Sequence, residues 1–379
     1  MPSISIIVPM FNGSHYLQYF LHSLAEAAPP NAEIIFVDDG STEPVLEMVP
    51  DDLPVESVIK LRNERNGGYS VAVNRGFARA NGEIIIQLNT DLVLERRSLE
   101  AMVDLIERTP KAGVVGSKQV YPTNGLVRHI GMTFGKQSMR HTYKGMPADH
   151  PLCCKTRKMQ IVSGATVAMT RPVLENIGPL DERYYNSLEN FAHCMKAHTS
   201  GYENYTCAES MVYHWVSQSG PARFNRVKEG EALFWSDWGS SQYIDLNRFV
   251  DEALDHVLEQ HPQLLDYSFE PLSLCRSSDE SILLDCLERR WNGIRLKARI
   301  TNAFNSSHTN LWLPMELPYA VMMSPTPYIY LVNRISDLLE NQMWFEVRHR
   351  IVKAELVVDT GGAVLTTGQL LEMRGETFA

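Results

Sequence analysis

The stretch Glu83–Leu94, EIIIQLNTDLVL, runs through apolar residues to a single carboxylate, Asp91. A carboxylate at the end of a buried strand either shapes a turn or holds something charged. Three other segments deliver small polar residues after apolar runs: Pro9–Asn12 (PMFN), Asp38–Ser41 (DDGS) and Ser163–Ala165 (SGA). In an open α/β sheet, ligands sit outside the carboxyl ends of the strands, so Asp, Asn, Ser and Gly gathered at one rim read as a site. No Gly-x-Gly-x-x-Gly follows the first apolar run and no Gly-x-x-x-x-Gly-Lys-Ser/Thr occurs, which removes the dinucleotide fingerprint and the P-loop. A nucleotide held through a divalent cation fits the residues better. Asp38 and Asp39 would take hydrogen bonds from base or ribose, and Asp91 would bind a hard cation that neutralises a diphosphate. The plainer alternatives stand beside these: Asp39–Gly40 is a common turn pair, and Asp91 alone also reads as a turn former.

These residues need elements to carry them. Ser3–Pro9, Glu33–Val37, Pro54–Leu61, Glu83–Leu88, Ala112–Ser117 and Ile161–Thr170 read as strands, the last with a glycine, Gly164, that signals close backbone approach. His15–Ala27, Gly68–Ala80 and Ser98–Arg108 read as helices, with Ser98 as the N-cap of the third. This alternation predicts a mainly parallel sheet covered on both faces. Beyond about Ser217–Pro221 the texture becomes helical, as at Glu229–Phe234 and Asn247–Glu259. The expected division is therefore a domain over 1–217 and a mostly helical C-terminal region over 218–379 whose role the pattern does not reveal. The apolar stretch 311–332 contains Glu316 and prolines, which argues for core rather than a membrane span; a dimer surface or a lid is the alternative.

The 379 residues carry a net charge of −10, so no basic footprint for nucleic acid is present. Acidity also disfavours anionic lipid, leaving at most peripheral membrane contact. The six cysteines show no Cys-x-x-Cys spacing, as expected for thiols in a reducing compartment. PSISIIVPMF lacks a basic signal-peptide start. The expected location is the cytoplasm, including the inner face of a membrane.

In order along the chain, SIIVPMFN, IIFVDDGST, RNERNGGYSVAVNRGFARANGEIIIQLNTD, VSGATVAMTRPVLENIGPLDERYYNSLENFAHCMKAHTSGY and AESMVYHW resemble the nucleotide-sugar glycosyltransferases of family 2, in the branch of rhamnosyl- and galactofuranosyl-transferase-like enzymes. Each motif is weak alone; the ordered set over residues 3–216 is specific. The resemblance implies a GT-A type, Rossmann-like α/β fold. It also implies inverting transfer from a nucleoside-diphosphate sugar, with Mn or Mg bridging the diphosphate. By the same resemblance, Pro9 and Asn12 lie under the nucleotide and Asp38 or Asp39 meets base and ribose. Asn66, Gly68, Asn74 and Arg75 pack against the nucleotide. Asn89-Thr90-Asp91 stands for the Asp-x-Asp metal motif with Asp91 as direct ligand. His214 matches a histidine that ligates the metal in some relatives, although a histidine between aromatics also reads as a satisfied core residue. Ser163, Gly164 and Ala165 match the floor beneath the donor sugar.

One departure concerns the base. Where the family places Phe-Glu-Asp-x-Asp, this chain has Leu188-Glu189-Asn190-Phe191-Ala192, so the usual base position is an amide. Inverting transfer needs a base within reach of the acceptor hydroxyl. Glu189 is the first candidate and Asp181 the second, while His193 and His198 are expected on a helix surface. The partners this implies are a nucleoside-diphosphate sugar and a glycan, lipid-linked or small-molecule acceptor, with a homodimer left open. The rival reading is a nucleotide-sugar-binding or partner-binding module that has lost its base at Asn190.

Overall fold

The computed structural model describes residues 2–379 apart from 185, 216–226, 276, 300–320, 322, 336–337, 339–341 and 378–379. The expected boundary at Ser217–Pro221 and residues 311–320 of the apolar late stretch lie outside the described residues. The chain forms two compact units. The first comprises Met1–Thr123, Arg128–Gly131 and Cys154–Gln242; the second comprises Asn124–Val127, Met132–Cys153 and Tyr243–Ala379.

The first unit is built on β1 (Ile4–Met10), α1 (Ser14–Ala27), β2 (Ala32–Asp38), β3 (Ser57–Arg62), α2 (Tyr69–Arg79), β4 (Ile84–Leu88), β5 (Leu92–Leu94), α3 (Ser98–Arg108), β6 (Ala112–Val120) and all but the first residue of β7 (Val127–His129). After β8 (Met132–Phe134) and β9 (Met139–His141), which belong to the second unit, it continues with β10 (Arg157–Met159), β11 (Thr166–Thr170), α4 (Arg171–Ile177), α5 (Glu189–Thr199), β12 (Glu203–His214) and α6 (Val227–Trp238). The sheet order is β10-β12-β6-β11-β4-β1-β2-β3, with β5 beside β12 and β7 beside β6. Strands β3, β2, β1 and β4 are mutually parallel, as are β6 and β12, while β11 runs against both its neighbours, β4 and β6.

Continuous apolar runs become strands here because both faces are covered. Every residue of β1, β4 and β6 is buried. On one face Ile4, Ile6 and Val8 join Ile34, Phe36, Ile86 and the inner sides of α1 and α3, including Phe20, Leu24, Leu99 and Met102. On the other face Ile7 meets α2 at Gly76, where a Cβ would lie 2.4 Å from the Ile7 side chain. Ser98 opens α3 as expected but is its first helical residue; the N-cap is Arg97.

The second unit has its own sheet. Strands β13 (Glu270–Ser273), β14 (Ala298–Arg299), β15 (Tyr328–Val332), β16 (Leu356–Asp359) and β17 (Val364–Thr366) take the order β14-β13-β15-β16-β17, all parallel except β17. Around it are α7 (Leu246–Gln260), α8 (Glu280–Glu288), α9 (Gln342–Ile351) and α10 (Thr367–Thr377). Helices supply most of its regular residues, yet this strand order is that of a doubly wound α/β sheet, which the sequence pattern did not reveal. The hairpin β8–β9 is part of the same unit: Asp245 accepts from the Phe134 amide and Asp279 from the Lys136 amide, both below 3 Å. The buried core of the unit contains an ion pair, Arg348–Glu355 at 2.5 Å, with both side chains 0% exposed.

Candidate active site

The rim lies at the carboxyl ends of β1, β2, β4 and β12. Three of the four expected segments follow their strands. The fourth does not: Ser163–Ala165 precedes β11 and reaches the same rim because β11 is antiparallel, so its amino end lies beside the carboxyl end of β4. The Asn89 amide closes this junction by donating to Ala165 O at 2.8 Å.

Sheet register brings Asp91 and His214 together across 123 residues. Leu92 of β5 is paired with His214, the last residue of β12, and the Trp215 amide donates to Asp91 O at 3.0 Å. His214 Nε2 then stands 3.3 Å from Asp91 Oδ1, with the side chains 5% and 11% exposed. On the far side of the ring, Nδ1 is 2.9 Å from Gln119 Oε1. A carboxamide oxygen can only accept, so Nδ1 is the donor to Gln119 and Nε2 is the ring nitrogen that faces Asp91, the orientation a metal-bound histidine is given by an outer partner. Gln119 was missed from sequence; it is reached only through β6–β12 pairing, which sets it opposite Val212, two residues from His214. Among the described residues no group of three or more His, Cys, Asp and Glu side chains converges, so a cation here would draw its remaining oxygens from ligand and water. Tyr16 of α1 reaches this turn through a hydrogen bond with Thr90. Burial pushes its hydroxyl up to about 12, with the Asp91 charge adding to the effect and a Thr90 hydrogen bond opposing it.

The nucleotide-side residues form a clipped pair of loops. Asn12, with φ of 53°, accepts on Oδ1 from the Thr42 amide at 2.9 Å, while its own amide donates to Ser41 Oγ. Pro9 is buried in β1 opposite Val37. The Asp38 carboxylate is buried and takes the Ser41 amide and Arg62 Nη1, at 2.8 and 2.6 Å. Asp39 accepts from Asn63 Nδ2 and from the amides of Gly67 and Gly68, and Asn66 Oδ1 accepts from the Gly68 amide. Both acids therefore shape the loops beneath the rim. Asn74 and Arg75 are turned to other work. Asn74 exchanges hydrogen bonds with the Leu180 backbone at 2.9 Å, and Arg75 donates to Arg62 O and Asn63 Oδ1.

The base candidates differ in setting. Asp181 is chelated by Arg183 (Nη2 at 2.6 Å), which also bonds Asp237 of α6; hydrogen bonding to this arginine holds the Asp181 carboxyl below its usual range. Glu189 opens α5 and is 9% exposed, so it is not the solvated helix charge that position suggests by default. Its Oε1 accepts from Asn190 Nδ2 at 3.1 Å. Behind it lies a polar cluster that the sequence reading passed over inside the apolar run: Gln87 Nε2 is 2.7 Å from Tyr69 Oη, 2.8 Å from Gly164 O and 3.1 Å from Asn190 Oδ1, and Tyr69 Oη donates to Asn89 Oδ1 at 2.7 Å. Burial first, then the charges of Glu189 and Asp91, push the Tyr69 hydroxyl far above its ordinary range, so it stays a neutral donor. Ser163 is anchored by His129, whose Nε2 accepts its amide at 2.8 Å. A groove of about 490 Å³ bounded by Glu83, Ile106, Thr170 and Arg171 opens at the opposite end of β4 and β11.

His193 corrects the expectation of a surface residue. It is buried, with Nε2 2.9 Å from Gly178 O, and burial pushes its imidazole from 6.5 down to about 4. The native state keeps it neutral where the unfolded chain would be protonated. Its contribution, ~3 kcal/mol, is fully present above pH 6.5, drains as the pH falls and is lost by about pH 4. Denaturant unfolding at several pH values should show this slope in the wild type and a flatter one in His193→Gln.

The family model described as glycosyl transferase family 2 matches residues 5–178; Asp181, Glu189 and His214 lie beyond the matched segment. An uncharacterised protein, y4gI of Sinorhizobium fredii, is 30% identical over 58% of this chain and 25% of its own length. The O-antigen biosynthesis protein RfbC of Myxococcus xanthus is 26% identical over 63% of this chain and 19% of its own. The chain thus spans about a quarter or less of these two curated relatives. Among solved structures, GalNAc-T7 with UDP, GalNAc and Mn2+ covers 69% of this chain and 55% of its own at 18% identity, TM-score 0.48. No described helix is long and apolar enough to cross a membrane. Over residues 5–178, a little under half of its length, this chain is similar to glycosyl transferase family 2.

Proposed function

We propose that this chain transfers a sugar, with inversion, from a nucleoside-diphosphate sugar to an acceptor hydroxyl on a glycan, lipid or small molecule. The observation that carries the reading is the buried Asp91–His214 pair at the rim, 3.3 Å apart and oriented through Gln119. The Asp91 oxygen suits a hard divalent cation such as Mn2+ or Mg2+, with the imidazole nitrogen beside it as a further ligand. Held there, such a cation would neutralise charge on the departing diphosphate.

The remaining chemistry belongs to side chains. Glu189 takes the acceptor proton as the acceptor oxygen bonds to the anomeric carbon and the carbon–oxygen bond to the diphosphate breaks. Glu189 is preferred over Asp181 because Arg183 chelates the Asp181 carboxylate, whereas Glu189 opens α5 with the Asn190 amide on its Oε1. The loops clipped by Asn12, Asp38 and Asp39 align the nucleotide, and the floor at Ser163–Ala165 supports the sugar.

Nucleotide release from UDP-, GDP- and dTDP-sugars, with Mn2+ or Mg2+ and with chelator, tests the reading. Release with at least one donor, abolished by chelator, is expected; donor binding without release under every condition would sink it. Glu189→Gln should keep donor affinity and lose ~10²–10⁴-fold in turnover. Normal turnover in that variant would move the base elsewhere.

A further inference from the structure

We propose that Asn190 is a positioning residue that keeps Glu189 a single, oriented carboxylate, and that it is not a vacancy where a base has been lost. The proposal rests on the reading of Glu189 as the base.

The hydrogen-bond directions follow from one main-chain atom. Gly164 O can only accept, so the Gln87 atom 2.8 Å from it is the amide nitrogen. That nitrogen is also 3.1 Å from the side chain of Asn190, which must therefore present its oxygen. The Asn190 amino group is then turned the other way, onto Glu189 Oε1 at 3.1 Å. Gln87 shares its two hydrogens among three acceptors, the third being Tyr69 Oη, which passes its own hydrogen to Asn89 Oδ1.

Packing locks the arrangement. A Cβ on Gly164 would fall 1.9 Å from Asn190 Cγ and 2.0 Å from Nδ2, so the amide lies where only a glycine leaves room. The turn into α5 holds Asn186 and Leu188 at φ of 56° and 62°, a conformation that L side chains adopt at a cost. Asn186 Oδ1 accepts from the Tyr69 amide at 2.7 Å. Backbone and hydroxyl of Tyr69 are thus tied into one assembly with the residues around Glu189.

An aspartate at 190 would set a second carboxylate against Glu189 at that same contact. Two such groups share a proton and titrate as a coupled pair, with the upper step raised. Among the described residues, the charges of Glu189 and Asp91 act on Tyr69 of α2, and His193 follows Glu189 on α5. Tyr69 stays protonated, and His193 is turned to Gly178 O. Asp181, and Asp237 of α6, are taken up by Arg183.

The test is the pH profile of kcat/KM for donor turnover in the full chain, with Mn2+ and the best donor of the screen. Asn190→Asp should move the acid limb upward by about one pH unit or more, a ~10-fold loss of rate at pH values below the wild-type limb, with donor KM within about twofold and activity recovering at higher pH. An unmoved limb with a rate at pH 7 equal to or above wild type overturns the proposal. Gln87→Met removes the orienting donor and adds no charge, so it serves if Asn190→Asp fails to fold. It should lower kcat by roughly fivefold or more with the limb in place, and wild-type kcat in Gln87→Met also overturns the proposal. Turnover intact in Glu189→Gln would instead remove the base reading itself. A dead Glu189→Gln beside an unshifted Asn190→Asp would remove positioning alone.

Discussion

Asp91→Asn is expected to lower sugar transfer by ~10³-fold or more. The substitution is nearly isosteric, and the backbone bond from Trp215 to Asp91 O is untouched, so the fold should survive. What goes is the one anionic oxygen beside His214 Nε2 in a site where both side chains are nearly closed to water. In such a setting an electrostatic partner is worth more than at a surface. Two readouts separate this from general damage. Wild-type protein should bind a nucleoside diphosphate more tightly with Mn2+ than with chelator, and Asp91→Asn should bind it equally in both. Turnover within threefold of wild type would take Asp91 out of the catalytic machinery.

The largest effect on stability is expected in the second unit. Arg348 donates to the carbonyls of Val321, Ser324 and Thr326 and to Glu355, and its guanidinium stands 5.0 Å from the centre of the Tyr328 ring. Glu355 also accepts from the Tyr328 amide and the Tyr330 hydroxyl, each at 3.1 Å. Arg348→Met would leave a buried carboxylate without its cation and strand several carbonyls, a change that costs about 3–5 kcal/mol. Thermal unfolding should show the drop. Arg348→Met with Glu355→Gln should recover part of it, because the uncompensated charge is gone. A single variant as stable as wild type would mean that the pair is replaceable by packing alone.

The legible parts of this molecule are those whose cause is local. The runs at Ile4–Met10, Ala32–Asp38 and Ile84–Leu88 are strands because burial on both faces demands apolar residues throughout, and a composition of that kind shows in the sequence. The polar residues after them were recognisable for the same reason. What stayed hidden depends on pairing. Ser163–Ala165 was assigned to the rim as a strand end, and it is there because β11 reverses direction. The meeting of Asp91 with His214 follows from the β5–β12 register; only the family resemblance named both residues in advance. Gln87 was passed over inside an apolar run, and its role appears once Gly164 and Asn190 are brought beside it. The second sheet has strands of two to five residues, too short for a period to show.

The division of the chain into units carries a consequence for how this protein could be cut or recombined. The hairpin over 132–141 belongs with the second unit, although it lies in sequence between β7 and β10 of the first. Removal of everything after Gln242 would therefore not yield a trimmed first unit. It would leave the Phe134 and Lys136 amides without the Asp245 and Asp279 carboxylates that receive them, on a hairpin with no core to join. Exchange of the C-terminal region with that of a relative meets the same obstacle unless residues 132–153 travel with it. Each unit is assembled from separate stretches of the chain, so a single crossover does not exchange either of them whole.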